Sequence, residues 1–101
     1  MKVFTYPKTE EISLANILFA LGDPVRLRIV QSLAQCGEQN CSAMGATVSK
    51  PTLSYHYKVL REAGLIYTRI EGTQHLSSVR RADLETRFPG LLDALLAAAA
   101  L

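Results

Sequence analysis

Between Ser49 and Arg61 the chain places Ser49, Lys50, Thr52, Ser54, Tyr55, Lys58 and Arg61 in one short stretch, with no carboxylate before Glu62. Hydroxyls can read base edges and Lys or Arg can hold phosphate oxygens, so this set suits a nucleic acid. The other reactive side chains are few. Cys36 and Cys41 flank the turn GEQN, and His56 and His75 stand apart from each other. A metal centre takes three or four convergent ligands, and neither His has a partner at ligand spacing, so no metal site is expected. Neither a Ser/His/Asp arrangement, nor a Gly-rich phosphate loop, nor paired carboxylates in a plausible cleft can be found, so no catalytic residue, no cofactor and no enzymatic role are expected.

The hydroxyls and cations need an element to present them. Read as a helix over 49–63, the stretch puts Leu53, His56, Tyr57, Leu60 and Ala63 on one buried stripe at i, i+3, i+4, i+7 spacing. Ser54, Tyr55, Lys58, Arg61 and Glu62 then lie on the wet side. Pro51 is tolerated only in a first helical turn, and Gly64 can take the left-handed conformation that ends a helix, which folds Leu65 back onto Leu60. A short capped helix with one hydrogen-bonding, cationic side is the shape that enters a DNA major groove. His56, on the buried stripe, reads as a packed, hydrogen-bonded core ring or a phosphate-facing one and not as a metal ligand, and His75 as structural.

Around that helix the chain divides into an N-terminal arm over 1–8 and one domain over 9–101. Thr9 to Leu21 reads as a helix, with Thr9 as its cap and Glu10 and Glu11 in the first turn, where the helix dipole favours them. Asp23-Pro24 starts a second helix, packed by Val25, Leu27, Ile29, Val30 and Leu33 with Arg26 and Arg28 pointing outward, and it stops near Cys36-Gly37. Ser42 to Ala46 has room for about one turn of helix before the 49–63 reading helix, which makes a helix-turn-helix. After Gly64 the period changes from 3.6 to 2. Gly72-Thr73 supplies a two-residue hairpin turn, so 65–79 is a two-stranded wing with Ile66, Thr68, Ile70, His75, Ser77 and Val79 on one face. Arg80-Arg81 leads into a short helix to Arg87, broken at Phe88-Pro89-Gly90. The closing run LLDALLAAAAL has strong helix propensity and almost no polar face. Surface that apolar needs covering, so the first and last helices, 9–21 and 89–101, are expected to pair two copies in a homodimer. The fold class is thus mainly α with a small β-hairpin, a winged helix-turn-helix.

Bulk properties agree. At 101 residues there is room for one modest core, and 49% hydrophobic against 20% charged residues places the chain among globular proteins. The net charge of +2 is unevenly spread: Lys50, Lys58, Arg61, Arg69, Arg80 and Arg81 face only Glu62 and Glu71 between 49 and 81. Basic charge concentrated in one third of a chain is the footprint of a polyanionic partner. No stretch approaches the roughly 20 apolar residues of a membrane span, and Met1 to Lys8 has no signal-peptide core, so a cytoplasmic protein with no membrane contact is expected. In that compartment Cys36 and Cys41 should be reduced thiols.

The strings ALGDPVRLRIVQSLA (20–34) and SKPTLSYHYKVLREAGLI (49–66), followed by TRIEGTQHL, resemble the ArsR family of bacterial winged-helix repressors over roughly residues 12–92. The resemblance implies a homodimer that binds a double-stranded DNA operator near its own promoter and releases it when an effector arrives. Ser49, Lys50, Thr52, Ser54, Tyr55 and His56 match positions that the family uses against bases or phosphates, and Arg69, Thr73 and Gln74 match its wing. Lys58 and Arg61, with Arg69 and the Arg80-Arg81 pair, are the expected phosphate contacts. The chain departs from the family pattern at CSAMGATVS, which holds Cys41 alone where many members carry Cys-x-Cys. LLDALLAAAAL likewise offers only Asp93 where others carry metal-binding carboxylates and His, so the familiar metal sites do not transfer.

Two readings stay open for the thiols. Cys36 and Cys41 are either small buried residues at helix ends, or a pair close enough across GEQN to oxidise or to bind a thiophilic metalloid such as arsenite. A disulfide needs Cα atoms within about 7 Å, which the turn permits. A rival for the whole chain is a winged helix that serves as a protein–protein interaction module without sequence-specific DNA binding.

Overall fold

The computed structural model describes residues 4–40 and 48–100. The expected helix over 9–21 is instead two pieces, a 3-10 turn at Thr9–Glu11 and helix α1 at Leu14–Leu21. The cap is Ser13, whose hydroxyl accepts the Asn16 N–H, while Thr9 donates its hydroxyl to Asp83. The break lets Ile12 leave the helical path and plug the core, where it is 1% exposed. Helix α2, Pro24–Cys36, begins as expected: the Asp23 carboxylate accepts the N–H groups of Val25 and Arg26, and Pro24 occupies the first turn.

Strand β1 is two residues, Gln39–Asn40, too short to leave an alternating pattern in the sequence. Helix α3 runs Lys50–Ala63 behind its Ser49 cap, strands β2 and β3 are Ile66–Glu71 and Gln74–Val79, and helices α4 and α5 are Arg81–Arg87 and Leu91–Ala99. The expected turn of helix over 42–46 lies outside the described residues. The hairpin register pairs Ile66 with Val79, Thr68 with Ser77 and Ile70 with His75, which confirms the shared face. On that face Thr68 and Ser77 are buried and hydrogen-bond to each other at 2.8 Å, so the polar pair inside the sheet satisfies itself. β1 adds to the other side of β3, giving the antiparallel order β1-β3-β2.

The core is one cluster. Ile12, Ile17, Ala20 and Leu21 of α1 and the turn before it, Ile29, Val30 and Leu33 of α2, Leu53, Tyr57, Leu60 and Ala63 of α3, and Leu65, Ile66, Leu84 and Leu92 form it together. Gly64 closes α3 at φ 90°, and Leu65 returns its N–H to the Leu60 carbonyl at 3.0 Å, the bond of a left-handed helix cap. A Cβ on Gly64 would also lie 2.7 Å from Cγ1 of Ile12, so both conformation and space require glycine here.

Two arginines placed outward from the sequence are interior. Arg26 is 7% exposed, and Arg80 is 3% exposed, its Nε on Asp83 and its Nη1 on the Pro7 carbonyl. Spacing alone leaves both in solvent, because a charged side chain is normally left in water. Here each has enough hydrogen-bond acceptors to replace it. The 4–8 segment lies along the edge of β2, where the Tyr6 hydroxyl accepts the Thr68 N–H at 2.8 Å and donates to the Thr68 carbonyl.

Candidate nucleic-acid interface

Helix α3 divides as its spacing requires. Leu53, His56, Tyr57, Leu60 and Ala63 are buried, whereas Lys50, Pro51, Thr52, Ser54, Tyr55, Lys58 and Glu62 are exposed. At its start the Ser49 hydroxyl lies 2.9 Å from Thr52 Oγ1, so the two hydroxyls are held together on the exposed first turn. Tyr55, 56% exposed, is a large ring standing in solvent beside two polar neighbours. Among the described residues Lys50 and Lys58 form no ion pair, so both ammonium groups are directed to solvent.

His56 departs from the expectation that it faces bases or phosphates. Its ring is 8% exposed, and Nδ1 lies 3.2 Å from Nη1 of Arg26. A guanidinium has only N–H to offer, so Nδ1 accepts. Arg26 also donates through Nε to the Ala20 carbonyl at 2.7 Å and through Nη2 to the Phe19 carbonyl at 3.4 Å. One buried guanidinium therefore ties the C-terminal end of α1 to the middle of α3. Asp23 stands close by, 3.9 Å from the same His nitrogen. Partial burial pushes its carboxyl up, but the hydrogen bond from the Arg26 amide and the positive charge of the Arg26 guanidinium hold it below the usual range.

The wing is electrically different from its sequence. Arg69 is exposed but engaged, with two 2.9 Å bonds to Glu38 and a third bond to Glu71. Donating hydrogen bonds to Glu38 and then to Glu71 holds the guanidinium further toward its ionised form, and Arg69 in turn lowers the Glu38 carboxyl. The contact with Glu38 spans 31 positions in sequence, so no local pattern signals it. Thr73 and Gln74 are exposed at the hairpin tip. Arg61 is half-buried and lies over the Phe4 ring, and Arg81 pairs with Asp93 at 2.9 Å.

Cys36 is exposed at the end of α2 and carries a free thiol, which corrects the expectation of a small buried residue. Cys41 lies outside the described residues. Among the described residues no group of three or more His, Cys, Asp or Glu could hold a metal ion, and no helix is long and apolar enough to cross a membrane.

Residues 21–69, which span α2, α3 and most of β2, match the family model described as a helix-turn-helix domain. Over 94 residues the chain is 36% identical to the uncharacterized HTH-type transcriptional regulator YceK of Bacillus subtilis (strain 168), covering 90% of this chain and 94% of that one. It is 38% identical over 74 residues to the arsenical resistance operon repressor of Staphylococcus xylosus, with 71% and 70% covered. The solution structure of Mb0332 from Mycobacterium bovis, described as a homodimeric winged helix-turn-helix DNA-binding domain of a possible ArsR-family regulator, superposes with a TM-score of 0.68 at 27% identity, over 99% of this chain and 90% of that one. The chain belongs to the ArsR family. As an ArsR-family winged helix-turn-helix protein it is a DNA-binding transcriptional regulator, and the reading as a protein-interaction module is not favoured.

Proposed function

We propose that this regulator is a cytoplasmic homodimeric repressor that sets one α3 helix per protomer into successive major grooves of an operator, about 34 Å apart, and lets go when an effector binds. The observation that carries the reading is the one-sided α3, with its apolar stripe inside the core and Thr52, Ser54, Tyr55 and Lys58 outside it. Ser49, Lys50, Thr52, Ser54 and Tyr55 meet base edges and adjacent phosphates. Lys58 and Arg61 hold phosphates, and Thr73 and Gln74 reach the neighbouring groove or backbone. Arg69 takes a phosphate only by exchanging Glu38 and Glu71 for it. His56 and Arg80, being buried, are left out of the contact set.

Dimerisation is supported by α1, where Leu14, Leu18 and Phe19 are 45%, 48% and 67% exposed. Leu91 and Leu95 of α5, both half-buried, line a small apolar crevice together with the buried Ile17 and Leu21 of α1, so α5 lies against the same core as α1. Apolar area of that kind on a regulator of 11.1 kDa calls for a second copy.

The test is fluorescence anisotropy on the DNA upstream of the protein's own gene against a random duplex, across a range of salt. Lys58→Ala should weaken both duplexes alike and reduce the salt slope by about one per protomer, whereas Thr52→Ala and Tyr55→Ala should cost about 1–3 kcal/mol on the operator alone. Equal losses of all three variants on both duplexes would show that the assigned roles are wrong.

For the effector we propose an oxidant or a thiophilic metalloid acting at Cys36 and Cys41. The turn after Cys36 is joined to the wing twice, by Glu38 to Arg69 and by β1 to β3, so strain there has a route to the DNA-facing side. Replacing both thiols by Ser should abolish release by peroxide or arsenite, measured as operator-bound fraction. Release that persists in that variant excludes the thiols.

A further inference from the structure

The segment ahead of the first helix bridges the two halves of the DNA-facing surface. The Phe4 ring meets His75 of β3 edge-on, with centroids 5.4 Å apart and planes at 82°, the favourable T-shaped arrangement. The Arg61 guanidinium of α3 lies over the same ring, 4.2 Å from its centre. That distance is well inside the range of about 6 Å over which a cation is held by an aromatic face. Two residues on, the Tyr6 hydroxyl takes both backbone groups of Thr68 on the outer edge of β2, and Pro7 is fastened to Arg80, so the segment is anchored behind Phe4.

We infer that Phe4 is a positioning residue for DNA binding: wedged between the wing and the reading helix, its ring holds the Arg61 guanidinium ready for a phosphate. Stacking uses the flat face of a guanidinium, whereas phosphate binds along its N–H edge, so the two contacts are compatible. An arginine already ordered by a ring loses less side-chain freedom when it meets DNA. Phe4, Ser54, Tyr55, Lys58 and Arg61 line one open groove, so the stacked pair sits beside the polar α3 face and not behind the molecule.

The inference rests on the reading of Arg61 as a phosphate contact, and the experiment separates the two. Operator affinity is measured against salt for the full chain and for Arg61→Ala, Phe4→Ala, Phe4→Leu, Phe4→Tyr and the Phe4→Ala/Arg61→Ala double variant. Arg61→Ala should lower the slope of log affinity on log salt by about two per dimer. Phe4→Ala and Phe4→Leu should weaken binding about five- to thirtyfold per dimer, Phe4→Tyr should bind within about twofold of the parent, and Phe4→Ala should cost nothing more once Arg61 is gone. Phe4→Leu keeps the apolar bulk, so it reads the ring itself even if Phe4→Ala loosens the fold. If Phe4→Leu binds as tightly as the parent, or Phe4→Ala costs the same factor with and without Arg61, the ring does not act through Arg61 and the inference fails while the reading of Arg61 stands. If Arg61→Ala leaves the salt slope unchanged, both fail.

Discussion

Arg26→Ala is expected to destabilise the protomer by about 3–5 kcal/mol, a large share of the roughly 5–15 kcal/mol that holds a typical domain together. The side chain makes three hydrogen bonds from an interior position, to the Ala20 and Phe19 carbonyls and to His56 Nδ1. Truncation leaves a buried carbonyl and a buried ring nitrogen without a donor, and each such loss costs about 1–3 kcal/mol. Thermal melting followed by circular dichroism should show a midpoint lower by roughly 15–30 °C for a chain of this size. Arg26→Lys should recover only part of that loss, since one ammonium cannot reach three acceptors arranged around a planar fork. Because the same guanidinium sets α3 against α1, operator affinity should also fall at temperatures where the variant is still folded. A loss below about 1 kcal/mol would mean that water or a rearranged neighbour replaces the guanidinium at little cost.

Leu18→Glu is expected to separate the two protomers and, with them, the two half-site contacts. In the isolated chain Leu18 is half exposed, so a carboxylate there disturbs the fold little. If the proposed two-fold pair forms through α1 and α5, the same position would be covered by the partner, and a desolvated carboxylate from each protomer would cost several kcal/mol. Sedimentation should find a species near 11.1 kDa in place of one twice that mass. Operator affinity should drop about 10²- to 10⁴-fold, the advantage lost when two linked contacts become independent. An unchanged dimer with unchanged affinity would place the subunit contact on a different surface.

The sequence alone determined the elements whose signals are local. The α3 stripe, its Ser49 and Gly64 ends, the Asp23-Pro24 start of α2 and the hairpin register through Gly72-Thr73 all follow from residues within a few positions of one another, and the structure has each of them. The hydroxyl and cation side of α3 was legible for the same reason: a helix of known phase leaves no choice about which residues face away from its apolar stripe. Tertiary structure decided what depends on distant partners. Arg26 and Arg80 are interior because carbonyls, a carboxylate and a ring nitrogen brought together by folding replace water around them. Arg69 obeys the same rule at the surface, where folding brings Glu38 to it from a remote part of the chain. Ser13 displaced Thr9 as the helix cap because Ile12 fills the space above Gly64, a requirement that exists only once α3 and β2 are in place. Patterns of spacing report which face of an element is wet. They carry no record of which charged side chain will find enough partners to come inside, since that depends on where the rest of the chain puts its acceptor atoms.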